Sequence, residues 1–132
     1  MTTRAHLLLE VTFLPPSEGG RNTPPVLVSA TGTYRPHIVI GDPNQRRALT
    51  VGNEIRETYF GVVFESGPDH VRFGEPLEAV AQLMYYPLAE HHAVVPGATF
   101  TVREGPHIVG YGRVKELSIT DAAEQIVGRE AR

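Results

Sequence analysis

The sequence of 132 residues contains no cysteine and no tryptophan, and its only lysine is Lys115. Without cysteine it cannot form a disulfide, a thiolate metal site or a cysteine nucleophile. It also has no apolar run close to the roughly 20 residues that a membrane helix needs. The run of three leucines at residues 7–9 is followed at once by Glu10, so it is too short to be the core of a signal peptide. We therefore expect one cytoplasmic domain that is long enough to bury its own core.

Positive charge is also scarce for a protein that binds nucleic acid. The formal net charge is -3. Residues 1–60 hold six arginines against five acidic residues, and residues 61–132 hold six basic residues against ten acidic ones. Proteins that bind phosphate backbones usually carry a basic face. A nucleic-acid surface on this chain would therefore have to be local and drawn from the first half.

Alternating apolar and polar residues predict about six β-strands. The predicted strands cover residues 6–14, 37–40, 58–65, 71–73, 77–86 and the hairpin 100–115. Turns rich in Gly and Pro separate them, while residues 45–56 show no sustained period and residues 87–97 read as a loop. Closely spaced turns and little helix favour an antiparallel β-barrel or sandwich.

The hairpin near the end of the chain has the clearest pattern. Phe100 and Val102 are predicted to face the core, and residues 104–106 form the turn. The return strand is predicted to place on one face the residues Ile108, Gly110, Gly112 and Val114. Two glycines on one face leave room for a neighbouring side chain or backbone to approach, at a barrel corner or at a ligand.

The character of the sequence changes after Glu116. Asp121 and Glu124 resemble a capping box, and the residues that follow Asp121 have an apolar stripe with helical spacing, formed by Ala122, Ala123, Ile126 and Val127. We therefore expect a barrel over residues 1–117 and a C-terminal tail over residues 118–132 that contains a short helix.

Four segments together resemble the third, C-terminal domain of elongation factor Tu. They are EGGRNTP at residues 18–24, YRP at 34–36, GEP at 74–76 before a long strand, and FTVREG at 100–105 followed by Val109 and Gly110. The resemblance covers about residues 5–117 and implies a six-stranded antiparallel Greek-key barrel. No Gly-x-x-x-x-Gly-Lys-Ser/Thr loop is present, so we expect neither nucleotide binding nor GTPase activity.

In that family the barrel contacts the T-stem of aminoacyl-tRNA on one side, and the GTPase domain and the exchange factor on others. The resemblance implies that Glu104 and Gly105 match positions that approach the tRNA backbone. Two other such positions are changed here, since His37 replaces a glutamine and Tyr86 replaces a basic residue. These changes argue against tRNA binding.

The candidate partner-binding residues are Gly19, Gly20, Arg21, Arg35, His37, Tyr86, Arg103, Glu104 and Gly105. Arg35 and Arg103 are expected on the barrel surface, where either could pair with Glu18 or Glu104. The adjacent His91 and His92 suit zinc if a third ligand is nearby, and their other interpretation is a pair of exposed loop histidines. No residues form a recognisable catalytic or cofactor-binding set.

The sequence therefore predicts a non-enzymatic binding module with no cofactor, which engages a protein partner related to translation. The first alternative is a barrel that binds RNA resembling aminoacyl-tRNA. The second is a metal-dependent hydrolase that uses His91 and His92. Self-association into a homo-oligomer is a further option, and no membrane partner is expected.

Overall fold

A computed structural model of the protein describes residues 3–52 and 54–121. Its strands, in chain order, are β1 (Thr3–Phe13), β2 (Val28–Ser29), β3 (Gly32–Thr33), β4 (His37–Ile40), β5 (Thr50–Val51), β6 (Glu54–Ile55), β7 (Phe60–Ser66), β8 (Leu77–Leu83), β9 (Thr99–Glu104) and β10 (His107–Asp121). Two short 3₁₀ helices cover Pro16–Glu18 and Ala89–Ala93.

Six of these strands form a closed antiparallel barrel in the order β1-β10-β9-β4-β7-β8. Within it, β4, β7 and β8 are successive neighbours, and β9 returns to lie beside β4. This spatial order of the fourth strand next to the first defines a Greek key. The predicted fold class is confirmed, except that the predicted helix after Asp121 lies outside the described residues.

Period-two alternation explains the core of the barrel, because successive side chains of a strand point to opposite faces. The inward residues of β1 are Leu7, Leu9, Val11 and Phe13, and none of them is exposed. The inward residues of β7 and β9 pack against them. Three residues outside the barrel strands, Leu27, Val71 and Val94, join the same core.

The β9–β10 hairpin is confirmed, but a β-bulge changes its inward face. The register with β9 shifts between Ile108 and Gly110, so an extra residue enters β10. As a result Val109 belongs to the core, whereas Ile108 pairs with Arg103 and lies outside the core cluster.

The two glycines of β10 allow β1 to approach closely. A Cβ atom at Gly112 would lie 2.0 Å from the carbonyl oxygen of Glu10, and one at Gly110 would lie 2.7 Å from that of Thr12. Neither distance is compatible with a side chain, so the space is filled by the neighbouring backbone. The glycines therefore serve barrel closure.

Several predicted boundaries were wrong. Residues 71–73 are not a strand, and Val71 is apolar because it packs into the core. Strand β8 ends at Leu83, because Tyr85 has a left-handed φ of 59° that a strand does not accommodate. The unassigned residues 45–56 contain the β5–β6 ribbon. Strand β10 continues to Asp121, four residues beyond the predicted end of the barrel.

Replacement of Gly112 by Ala should lower the free energy of unfolding by about 3 kcal/mol, because β1 or β10 must move to admit the methyl group. Urea unfolding measures this change. The matched control is Gly32→Ala, since a Cβ at Gly32 meets no atom within 4 Å. A loss below about 0.5 kcal/mol for Gly112→Ala would contradict the role of this glycine in closure.

Candidate functional site

Two loops meet at the end of the barrel where β1 finishes and β10 begins. The first follows β1, where Gly19 has a left-handed φ of 82° and ends the 3₁₀ helix. A Cβ at Gly20 would lie 1.8 Å from the carbonyl oxygen of Leu14. The second loop is the β9–β10 turn, where Gly105 has a φ of 60°. The three glycines thus allow both loops to turn tightly against the end of the barrel.

Arg21, Tyr34 and Glu104 form a hydrogen-bonded cluster between these loops. Glu104 Oε2 accepts hydrogen bonds from Arg21 NH1 and from the hydroxyl of Tyr34, each at 2.5 Å. Arg21 Nε donates to the carbonyl of Thr23 at 2.9 Å, and its guanidinium lies 5.6 Å from the centre of the Tyr34 ring. The charge of Arg21 is therefore balanced by Glu104, and its orientation is held from two sides.

Tyr34 connects this cluster to the core. Its ring packs between Phe13 and Phe64, with centroid distances of 5.9 and 5.6 Å. Burial and the neighbouring Glu104 raise the pKa of Tyr34 far above its ordinary value of 10. The phenol consequently stays protonated and can donate to Glu104.

A polar cavity of about 340 Å³ opens beside the cluster. It is lined by Gly20, Arg21, Asn22, Thr23, Glu104 and His107. His107 Nε2 donates to the carbonyl oxygen of Gly19, which joins the two loops directly.

Arg35 is exposed. His37 pairs with Arg103 in the β4–β9 ladder, so Arg35, two residues before His37, lies near the turn at Gly105, two residues after Arg103. We call the surface that these loops form the Arg21 face, and its residues are Gly19, Gly20, Arg21, Arg35, Glu104, Gly105 and His107. The structure thus brings together six of the nine candidate residues.

The expected surface position of Arg103 is wrong. Its side chain has no exposed area and donates to both oxygens of Glu57, at 2.9 and 3.0 Å. Tyr59 and Thr101 accept its remaining hydrogen bonds, at 3.0 and 2.8 Å. The contact with Arg103, supported by hydrogen bonds from Gln45 and Leu49, lowers the pKa of Glu57 to about 2. Arg103 is therefore part of the barrel structure and cannot meet a partner.

Tyr86 lies apart from the Arg21 face, and His37 packs beside Tyr59 on the barrel wall. His37 is exposed on β4, with its ring 5.8 Å from that of Tyr59. Tyr86 follows β8 at the opposite end of the barrel and packs on His91, with ring centroids 5.3 Å apart. The nine candidate residues therefore do not form one surface.

His91 is buried, so the interpretation of two exposed loop histidines holds only for His92. The ring of His91 lies between those of Phe60 and Tyr86, and its Nδ1 accepts the backbone N–H of Leu88 at 2.9 Å. Among the described residues, no three His, Asp or Glu side chains form a metal-binding group. The same residues include no helix with the length and hydropathy required to cross a membrane.

Comparison with known proteins adds no assignment to this geometry. No protein-family model matches the sequence, and no curated protein matches it. The resemblance to the third domain of elongation factor Tu therefore stays a prediction that depends on the four segments named above.

Replacement of Glu57 by Gln should lower the free energy of unfolding by about 3–5 kcal/mol at pH 7, because it leaves the buried Arg103 guanidinium unpaired. In the unfolded chain Glu57 takes up a proton near its ordinary pKa of 4.5, and in the folded chain only near 2. The stabilisation is thus complete above about pH 4.5 and is lost as the pH falls towards 2.

Urea unfolding between pH 7 and 2 measures both effects, and the difference between wild type and Glu57→Gln should shrink over the acid range. Glu75→Gln is the control, because Glu75 is exposed and lies 3.9 Å from the exposed Arg72. An equal difference at pH 7 and pH 2 would contradict the ion pair as its cause.

His91 should make the fold less stable at mildly acidic pH. Burial lowers its pKa below the ordinary 6.5, although Glu90 acts in the opposite direction. The unfolded chain therefore binds a proton at a higher pH, and the free energy of unfolding should fall as the pH decreases below about 6.5. Unfolding of His91→Phe should show a weaker dependence between pH 8 and 5. His70→Gln, at an exposed site, is the control and should behave as wild type.

Proposed function

We propose that the protein is a cytoplasmic, non-enzymatic binding module whose Arg21 face engages a protein partner. A partner from the translation apparatus is the natural candidate, since the loop sequences of this face carry much of the resemblance to the elongation factor barrel. The chain would then use for a protein partner a face on which Glu104 and Gly105 match, by resemblance, positions that approach tRNA in elongation factor Tu.

One observation carries the preference for a protein over RNA: Glu104 neutralises Arg21 at the centre of the face. Binding to a phosphate backbone relies on several cations that are free to replace counterions. Arg103 is buried, and Arg35 is exposed without an ion pair to any residue within 3–52 or 54–121. The face therefore offers few such cations.

The same geometry suits a protein interface. Arg and Tyr are frequent in the residues that dominate binding energy between proteins. Here Arg21 is oriented by Thr23 and Glu104 before any partner arrives, so binding loses less side-chain entropy than it would with a free arginine. The polar cavity next to it, with the exposed His107, provides further hydrogen-bonding groups.

The test is capture of partners from the lysate of the producing cell on immobilised protein, with and without nuclease and across a salt series. We expect one protein that survives nuclease treatment and that Arg21→Ala and Arg35→Ala each weaken at least about tenfold, a change of about 1.4 kcal/mol. Arg72→Ala, at an exposed site that is not part of the Arg21 face, is the matched control and should bind as wild type.

Two results would contradict the proposed protein-binding role of the Arg21 face. Recovery of tRNA that disappears with nuclease, and whose affinity falls steeply with salt, would favour the RNA-binding alternative. A protein partner that is unaffected by both arginine variants would place its binding site elsewhere. Thermal unfolding of each variant confirms that lost binding does not result from lost structure.

A further inference from the structure

The end of strand β10 has an edge that the described residues leave open. Strand β9 pairs with β10 only over His107–Arg113, and two further backbone hydrogen bonds join Val114 to Gly97 and Ala98. Beyond Val114, β10 pairs with β1 alone, up to Asp121 opposite Thr3. Within residues 3–52 and 54–121, no other strand pairs with β10. Among the described residues, therefore, nothing pairs with one edge of residues 115–121.

This edge carries only part of the usual protection against pairing with another chain, because the register with β1 shifts at Lys115, which forms a β-bulge, and stays regular from Glu116 to Asp121. Natural edge strands are commonly shortened, covered, bulged, or interrupted by proline or by charged side chains. Residues 115–121 contain no proline, and the middle of the segment is Leu117-Ser118-Ile119. Ile119 is 54% exposed, whereas Ala5 opposite it on β1 is fully buried. An apolar residue thus lies uncovered next to unpaired backbone groups.

The segment is also complementary to itself when two copies run antiparallel around Ser118. Leu117 then faces Ile119 of the second copy, twice by symmetry, and both residues lie on the inward face of β10. Glu116 faces Thr120, so no like charges are opposed. Lys115, which contacts Glu78 in its own chain, lies at the β-bulge and outside the paired residues 116–120.

We propose that the protein forms a two-fold symmetric dimer in which the β10 edges of two copies pair antiparallel, with Ser118 on the axis. Each copy supplies the same patch, as an isologous interface requires. The pairing satisfies the open backbone groups and covers Ile119. The site lies at the end of the barrel opposite the Arg21 face, so the dimer presents two Arg21 faces to partners.

Disulfide formation tests the register directly, because the chain has no cysteine of its own. Directly opposed residues in antiparallel strands have Cα atoms about 4.5–5.5 Å apart, within the range that a disulfide spans. Under mild oxidation, Ser118→Cys should form a covalent dimer in high yield. Ser66→Cys, at an exposed position on β7, is the matched control and should stay largely monomeric.

A second pair of variants distinguishes this register from a general tendency to associate. In this register residue 116 of one copy lies opposite residue 120 of the other, and neither lies opposite its own equivalent. The variants Glu116→Cys and Thr120→Cys use this difference. Each alone should cross-link weakly, and a mixture of the two should give the mixed disulfide. A mixture that cross-links no better than the separate variants would overturn the register.

Sedimentation velocity of the wild-type chain over a concentration series tests the dimer without modification. We expect a concentration-dependent monomer–dimer equilibrium, and Ile119→Lys should weaken the dimer at least about tenfold because it places a charge in the pairing edge. A monomer at every concentration would overturn the proposal, as would a dimer that Ile119→Lys leaves unchanged. Circular dichroism confirms that Ile119→Lys retains the barrel.

Discussion

The pairing of β1 with β10 closes the barrel, and the other features of the protein depend on it. The two strands pair from Thr3 opposite Asp121 to Phe13 opposite Gly110, with one register shift between Leu8 and Leu9. Such close pairing is compatible with only the smallest residues where the carbonyl of Glu10 meets Gly112. Closure leaves the barrel strands themselves with few free edges, which is how barrels avoid uncontrolled association.

Closure also determines where the candidate site forms. The chain leaves β1 immediately after Phe13 and enters β10 at His107, so the loop carrying Arg21 and the β9–β10 turn must emerge side by side. Glu104 ends β9 at that point and can reach both Arg21 and Tyr34. Because Tyr34 is anchored between Phe13 and Phe64, the geometry of the polar cluster follows from packing in the core.

Much of this architecture could be predicted from the sequence, because it depends on local patterns. Alternation identifies β1, β7 and the β9–β10 hairpin, and glycine with proline identifies the turns between them. A bulge leaves no such signal, so the exchange of Ile108 for Val109 in the core could not be predicted. Alternation likewise could not predict the burial of Val71, because Val71 packs into the core without belonging to a strand.

For the candidate site, too, some residue positions could be predicted from the sequence and others could not. The structure places Gly19, Gly20 and Arg21 next to Glu104 and Gly105, a contact that the separate sequence motifs did not predict. Arg103 was misplaced because its partner Glu57 is distant in sequence, and a buried arginine looks like a surface one until that partner is known. His91 was misplaced for a similar reason, since Phe60, which forms one side of its pocket, belongs to another strand.

The ion pair between Glu57 and Arg103 has a consequence for how the protein moves. Two contacts join the described residues of 45–57 to the barrel: the carboxylate of Glu57, which also binds Gln45 and the N–H of Leu49, binds Arg103, and the Arg46 guanidinium lies 5.1 Å from the centre of the Tyr111 ring. Leu49 and Val51 in this segment are each 61% exposed, so neither of them packs into the core. Because local opening costs least where few buried contacts are lost, we expect the β5–β6 ribbon around Leu49 and Val51 to open more readily than the barrel strands. Its amide hydrogens would then exchange with solvent long before those of β1 and β10.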